Sequence, residues 1–240
     1  MSTEGSFVWC DLSAYRPEAA QGFCAQVLGW SFMEQNGYAL GYSGIVAAAG
    51  IYQMPENFMD MGMPSFWMSY VAVPDVAATV SAARAEGGKV ELEADDHALI
   101  RDPLGAGFTV HSGREKGFSP PRNAHGLRTG HGYFCSDVSV VEAFYSRLFG
   151  WSFEPSADGY TEILARDGTR LATALELRDD QRGKEQYWAV RIGVSDLGMA
   201  IEQAERAGAT EILDVELPEG PAAMIRDPDG AAFFISEVSR

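Results

Sequence analysis

The feature that most constrains this chain is an internal repeat. The segment ALIRDPLGAGFTV, which begins at Ala98, returns as AMIRDPDGAAFFI from Ala223. LGWSF at 28–32 returns as FGWSF at 149–153, and the helix-like segment that follows Val73 returns after Val194. The last two landmarks are displaced by 121 residues (149 less 28, and 194 less 73), and the first by 125. Three landmarks in one order and at nearly one spacing indicate a tandem duplication.

Each copy of the repeat is long enough to fold as a module. The first copy spans residues 1–115 and the second residues 128–240, with a linker at 116–127 in a segment rich in Gly, Pro and Arg. In each copy a strand-like segment precedes a helix-like segment that ends at glycine, and short strands, a second helix and a closing strand follow. A half-sheet of this kind leaves one concave face open. The sequence therefore predicts an α+β fold of tandem βαβββ modules, whose half-barrel sheets surround a shared cavity.

The composition narrows the classes of partner. The chain has 18 Lys and Arg against 34 Asp and Glu, a net charge of −16, and no basic run, which disfavours nucleic-acid binding. No apolar run approaches the ~20 residues that a membrane span requires, and the N-terminus does not resemble a signal peptide. Three scattered cysteines are too few for a disulfide framework. We therefore expect a cytoplasmic monomer or homodimer that binds a small-molecule ligand and neither nucleic acid nor a membrane.

Several segments, taken in register, resemble one family. The βαβββ order, the aromatic-rich helix that ends in LGW or FGW, and the DPxG turn before the last strand are similar to those of the vicinal-oxygen-chelate superfamily. That superfamily includes glyoxalase I, extradiol dioxygenases, and fosfomycin-resistance and bleomycin-binding proteins. The resemblance covers both copies and is greatest to two-module actinobacterial proteins. It implies the fold and a small-molecule site, and it leaves the reaction open.

The resemblance also implies where a metal ion would bind. Metal-using members carry a glutamate ligand in the last strand, and the matching positions here are Thr109 and Phe234. Threonine is a poor metal ligand and phenylalanine cannot be one. The first-strand ligand of the superfamily falls near Trp9 in one copy and near His131 in the other. We therefore expect no metal ion and no other cofactor.

A non-standard metal site is the open alternative. Strand alternation places Trp9 with Asp11 on one face and Thr109 with His111 on another. If these faces converge, Asp11, His111 and His131 would supply the N and O ligands that suit zinc, iron or manganese. The competing interpretation places both histidines at solvated strand ends.

Aromatic residues dominate the candidate ligand-binding set. Large rings on a concave sheet face favour flat apolar ligands, although most buried rings simply fill a core. The candidate substrate-binding residues are Trp9, Trp67, Thr109, Trp188, Arg191 and Phe234.

Proton transfer is the chemistry that the remaining residue types favour. The candidate catalytic residues are Asp11, His131 and Tyr133, because an aspartate in an apolar cavity holds its proton more tightly and can act as a general base. The competing interpretation of Asp11 is a hydrogen bond at a strand end. No Ser/His/Asp order, phosphate loop or paired-cysteine motif offers a rival chemistry.

These observations lead to one expected function and two alternatives. We expect a glyoxalase- or bleomycin-resistance-like protein that binds an aromatic or apolar small molecule without a metal. It would act as a tailoring enzyme of secondary metabolism, of lyase, isomerase or hydroxylase-like type. The alternatives are a protein that sequesters a toxic small molecule, and a metal-dependent lyase or dioxygenase with a non-standard ligand set. A methionine-rich segment at 54–68, present only in the first copy, would suit a lid over the working cavity.

Overall fold

The structure is a computed structural model that describes residues 4–112, 119, 121–156, 159–178, 186–217 and 219–238. Part of the expected linker, residues 116–118 and 120, lies outside the described residues. The first copy of the repeat contains three helices, α1 (Pro17–Leu28), α2 (Glu56–Asp60) and α3 (Val76–Ala85). Its strands are β1 (Phe7–Ala14), β2 (Ser31–Gln35), β3 (Tyr38–Ser43), β4 (Val46–Gln53), β5 (Phe66–Ala72), β6 (Lys89–Glu93), β7 (His97–Arg101) and β8 (Gly107–His111).

The second copy repeats this order. Its described helices are α4 (Ser139–Phe149) and α5 (Leu197–Arg206). Its strands are β9 (Arg128–Cys135), β10 (Ser152–Pro155), β11 (Thr161–Leu164), β12 (Arg170–Glu176), β13 (Tyr187–Val194), β14 (Glu211–Leu217), β15 (Gly220–Arg226) and β16 (Ala232–Glu237).

The strands form two eight-stranded mixed sheets, one from each copy. The strand orders are β2-β3-β4-β1-β5-β8-β7-β6 and β10-β11-β12-β9-β13-β16-β15-β14. The predicted α+β fold with tandem βαβββ modules is confirmed. The structure also refines it, since each copy holds two βαβββ motifs, and the predicted second helix of each copy follows the first strand of the second motif. Neither sheet closes into a barrel.

The chain separates into two compact units that do not coincide with the two copies. Unit 1 comprises Met1–Trp9, Ser69–Pro120 and His131–Ala189, and unit 2 comprises Cys10–Met68, Pro121–Gly130 and Val190–Arg240. Each unit thus takes one βαβββ motif from each copy. The expected division into modules at 1–115 and 128–240, with a linker at 116–127, stays a prediction.

Each unit has a hydrophobic core around a pair of helices. In unit 2, α1 and α5 pack together, and the core includes Leu12, Phe23, Ile51 and Phe233. In unit 1, α3 and α4 pack together. The core of unit 1 is richer in rings and includes Phe7, Phe108, Tyr133, Phe144, Tyr145, Trp151 and Trp188.

Helix ends follow the signals expected from the sequence. Asp75 and Asp196 are the N-cap residues of α3 and α5, and each side chain accepts a hydrogen bond from the backbone N–H three residues later. Gly29 and Gly150 end α1 and α4 with φ of 68° and 71°, in the left-handed region that glycine adopts readily.

The repeated segment RDPxG builds a turn rather than a site. The carboxylate of Asp102 accepts hydrogen bonds from the backbone N–H groups of Leu104 and Ala106, at 2.9 and 3.0 Å. Asp227 accepts the equivalent pair, from Asp229 and Ala231, both at 2.9 Å. The near-identity of the two segments is therefore explained by the tight connection between the last two strands of each copy.

The methionine-rich segment contains the short helix α2. Met54, just before the helix, is buried, whereas Met61, just after it, is largely exposed. A lid role for this segment stays a prediction.

Candidate functional site

The face of β1 that points away from α1 carries the first candidate residues. Cys10, Leu12 and Ala14 belong to the core around α1, so strand alternation places Asp11 and Ser13 on the opposite face. Asp11 is nevertheless only 5% exposed. Burying a carboxylate requires polar partners, because its desolvation is otherwise costly.

Tyr38 on β3 supplies such a partner. Its hydroxyl donates a hydrogen bond to Oδ1 of Asp11 at 2.6 Å. The Tyr38 ring lies nearly parallel to that of Tyr52 on β4, with ring centroids 6.5 Å apart and planes 13° apart. The two rings give this face of unit 2 a pair of aromatic side chains beside a carboxylate.

The pKa of Tyr52 is shifted by its surroundings on the same face. Burial raises the pKa of the Tyr52 hydroxyl, the nearby Ser13 hydroxyl opposes that shift, and the negative charge of Asp11 adds to it. Tyr52 therefore stays protonated at neutral pH. It can serve this face as a hydrogen-bond donor.

Gly50 makes the contact between Asp11 and Tyr38 possible. In the parallel pairing of β1 with β4, Asp11 lies opposite Gly50. A Cβ atom at Gly50 would overlap both the Tyr38 hydroxyl and Oδ1 of Asp11. Asp11 is among the residues that the sequence predicts for the site, whereas Tyr38, Tyr52 and Gly50 are not. The available signal was a glycine inside the strand VAAAGIYQ, which often marks a close approach.

Thr109 and His111 lie on β8 in unit 1. Phe108 and Val110 belong to the core, so Thr109 and His111 point to the other face. Nε2 of His111 lies 3.9 Å from a carboxylate oxygen of Asp96. His111 therefore belongs to a group of polar side chains at the C-terminal end of β8.

Asp96 joins two histidines in that group. Nδ1 of His97 lies 2.7 Å from Oδ1 of Asp96, and the His97 and His111 rings are nearly parallel with centroids 6.2 Å apart. The hydrogen bond with His97 lowers the pKa of the Asp96 carboxyl, and the charges of both histidines add to this.

His131 and Tyr133, predicted as catalytic, lie on the helix-facing side of β9 in unit 1. The His131 ring stacks on Phe7 with centroids 3.8 Å apart. The Tyr133 hydroxyl donates to Oδ2 of Asp102 at 2.6 Å, and the Tyr145 hydroxyl donates to the same oxygen at 2.8 Å. Both predicted residues are thus part of the packed interior.

Burial shifts the pKa values of this interior network upward. Desolvation raises the pKa of Asp102, and the hydrogen bonds from the two tyrosines and two backbone N–H groups oppose it. Desolvation and the neighbouring Asp102 raise the pKa of Tyr133 far above its ordinary value. Tyr133 therefore holds its proton firmly and acts as a structural donor.

The predicted tryptophans fall in different places. Trp188 and Trp67 belong to the helix-packed cores of units 1 and 2, respectively. Trp9 is buried outside both core clusters, and strand alternation places it on the same face of β1 as Asp11. A ligand-binding role for each of these residues stays a prediction.

Arg191 and Phe234 lie side by side in unit 2. They are opposite each other in the parallel pairing of β13 with β16, and their neighbours Val190 and Phe233 belong to the core. Arg191 and Phe234 therefore share the face that points away from α5. Arg191 forms an ion pair with Glu219.

The side chains at the expected metal-ligand positions do not suit the metal ion that the fold family implies. Thr109 and Phe234 stand where a carboxylate ligand is expected, His131 is stacked within a core, and Asp11 is engaged by Tyr38. No group of three or more His, Cys, Asp or Glu side chains in the described part of the chain is arranged to hold a metal ion. The described residues therefore do not fit a bound metal. The expected lack of a cofactor stays a prediction.

The fold of two mixed eight-stranded sheets built from βαβββ motifs is shared with a solved glyoxalase and a solved extradiol dioxygenase. The chain is similar over 99% of its length to the Mn(II)-bound glyoxalase of Novosphingobium aromaticivorans, with 15% identity, 83% of that chain covered and a TM-score of 0.66. It is also similar over its whole length to a catechol 2,3-dioxygenase, with 14% identity, 90% of that chain covered and a TM-score of 0.64.

The family can be stated more narrowly for the second copy. Residues 132–236 match the family model described as a glyoxalase-like domain. The chain is also 26% identical to the anthracycline biosynthesis protein DauV of Streptomyces sp. strain C5, over 98% of this chain and 94% of that protein. The resemblance that the sequence predicts is thus confirmed, with a glyoxalase-like domain matched at 132–236. None of the helices in the described ranges is long and apolar enough to cross a membrane.

Proposed function

We propose that the protein binds an aromatic small molecule against the Tyr38 and Tyr52 rings, and that Asp11 transfers a proton to or from it. The reaction would be a metal-independent tailoring step of secondary metabolism. The observation that carries this proposal is the 2.6 Å hydrogen bond from Tyr38 to the buried carboxylate of Asp11. The name of the relative DauV, an anthracycline biosynthesis protein, supports a polycyclic aromatic ligand.

The chemistry follows from the arrangement of the two side chains. Asp11 is a carboxylate with little exposure to water, and such a group can remove a proton from a carbon or hydroxyl group of a bound ligand. The Tyr38 hydroxyl orients the carboxylate and stabilises its charged form. Tyr52, held protonated, can donate to an oxygen on which negative charge develops.

The parallel rings account for ligand binding. Flat aromatic ligands bury a large apolar area against such surfaces, and offset stacking adds a further contribution of about 0.5–1.5 kcal/mol. The acidic surface of the chain, at a net charge of −16, disfavours strongly anionic polymers as ligands.

The proposal is tested by separating binding from turnover. Purified protein is incubated with hydroxylated anthraquinones and naphthoquinones, with affinity measured by calorimetry and chemical change by mass spectrometry and NMR. Asp11→Asn should abolish conversion and keep affinity within about threefold, and Tyr38→Phe should slow conversion by about tenfold to a thousandfold. Asp60→Asn, at the exposed end of α2, is the matched control and should behave as wild type.

Two outcomes would contradict the proposal. Unchanged conversion in both the Asp11 and the Tyr38 variants would remove the proton-transfer assignment. Tight binding with every compound recovered unchanged would instead favour a protein that sequesters its ligand.

A further inference from the structure

Arg191 is an unusual side chain for the interior of a sheet face. Its side chain is 11% exposed, and its Nη1 donates to the carboxylate of Glu219. Its Nε atom is buried and has no hydrogen-bond partner in the described part of the chain. A buried N–H group that lacks an acceptor is costly, so this arrangement is expected where a ligand completes the set.

Gly130 provides the surface on which the guanidinium lies. A Cβ atom at this position would fall 2.6 Å from Nη2 of Arg191. Any other residue would therefore displace the guanidinium. The guanidinium therefore lies against the backbone of Gly130, and both residues belong to unit 2.

Glu219 stands where a ligand carboxylate would bind. It lies in the turn between β14 and β15, where its backbone is exposed while its side chain folds inward and is 21% exposed. Arginine and carboxylate groups pair through a planar fork of N–H donors, so Glu219 and a carboxylate ligand make the same kind of contact. A carboxylate ligand would therefore compete with Glu219 for the same guanidinium.

Phe234 defines the rest of the ligand. It lies opposite Arg191 on the same face of the sheet and is buried, although it belongs to neither core cluster. A ring next to a guanidinium favours an aromatic group that carries its acid close to the ring.

We propose that Arg191 anchors a second ligand site, which takes the carboxylate of an aromatic acid, and that Glu219 occupies this site when no ligand is bound. The site is independent of Asp11 and of the proposed function. It uses the second sheet, where Arg191 and Phe234 reside.

The experiment compares two probes of the same shape by calorimetry, 2-naphthoate and the neutral 2-naphthamide. Wild-type protein should bind 2-naphthoate about tenfold more tightly, because only the acid pairs with Arg191. Arg191→Gln should remove this preference, and Arg191→Lys should retain part of it. Glu219→Gln should tighten 2-naphthoate severalfold and leave 2-naphthamide unchanged, since the internal competitor loses its charge.

Controls distinguish this site from other effects. Glu211→Gln, which removes a carboxylate from a partner arginine on the same hairpin, should change nothing. Asp11→Asn should also leave 2-naphthoate binding unchanged, so a failure of the proton-transfer proposal would not affect this one. Equal affinity for the two probes, no binding of 2-naphthoate to wild type or Glu219→Gln, or weaker binding in Glu219→Gln would each overturn the proposal.

Discussion

The indole N–H of Trp188 donates to the Tyr145 hydroxyl at 2.8 Å, whereas that of Trp67, at the equivalent position of the first copy, has no hydrogen-bond partner among the described residues. The reason lies in the preceding helix, where Tyr145 on α4 corresponds to Cys24 on α1, again 121 residues apart. A thiol is a weak acceptor compared with a hydroxyl. The core of unit 1 therefore contains a hydrogen-bonded network that has no counterpart among the described residues of unit 2.

Loss of the Tyr145 hydroxyl should destabilise the protein. Tyr145→Phe leaves the buried Trp188 N–H without its acceptor and removes a donor from Asp102. We expect the free energy of unfolding in urea to fall by about 1–3 kcal/mol. Tyr42→Phe, on the partly exposed strand β3, should change it by less than about 0.5 kcal/mol. Equal effects of the two substitutions would contradict a stabilising role for the network.

An added methyl group at Gly50 should disrupt the candidate site. Gly50→Ala places a Cβ atom on the Asp11 and Tyr38 side chains, which have to separate. The expected cost is about 1–3 kcal/mol of unfolding free energy, with loss of ligand conversion. Gly22→Ala is the control, because nothing lies within 4 Å of its added Cβ and helix α1 should gain about 0.5–1 kcal/mol. A neutral effect of Gly50→Ala would show that the two side chains are not held together.

Asp102 should make stability depend on pH. Its pKa is raised in the folded state, so the folded protein binds this proton more tightly than the unfolded chain, and the contribution of Asp102 to stability decreases as pH rises from its ordinary value of 3.8 through the raised one. Wild type should therefore gain stability relative to Asp102→Asn as the pH is lowered from 7 toward 4. Urea unfolding across that range measures the difference, with Asp214→Asn, an exposed residue on β14, as the control. A difference that does not vary with pH would contradict the raised pKa.

His131 should affect stability and leave catalysis intact. Its ring stacks on Phe7 within the core of unit 1, so His131→Gln should lower the unfolding free energy by about 0.5–1.5 kcal/mol. Once folded, the variant should convert ligand as wild type does. Asp11→Asn should instead keep its stability and lose conversion. Loss of conversion in a fully folded His131→Gln protein would restore the catalytic role that its residue type suggests.

Much of the fold could be predicted from the repeat. The duplicated landmarks, the glycine at the end of the first helix and the Asp-Pro turns each have a local physical cause, and the structure contains all of them. The presence of two βαβββ motifs in each copy was not predicted. The local sequence pattern of the second helix and its strands also fits a single, longer motif.

The faces of the strands were harder to predict. Alignment of the first strands of the two copies is uncertain by one residue, and a shift of one residue moves every side chain to the opposite face. His131 and Tyr133 were grouped with Asp11 because their residue types suit proton transfer, yet they face a core. Trp67 and Trp188 sit in strands with apolar residues on both faces, so alternation alone does not show which face the helices cover.

Tyr38 and Arg191 illustrate what sequence could not supply. Tyr38 reaches Asp11 across β4, through a strand pairing that depends on the order of strands in the sheet. Arg191 pairs with Glu219, which lies in a hairpin turn more than twenty residues later in the chain. The sequence alone does not show that these two side chains meet.

The division of the chain into units has a consequence for its ancestry. Since each unit combines one motif from each copy, an ancestral polypeptide with a single copy could have completed neither unit by itself. Two such polypeptides would have had to associate, and fusion of their genes would have joined them in one chain. Expression of residues 1–127 and 121–240 as separate fragments should accordingly give poorly folded material alone and recover native-like structure on mixing.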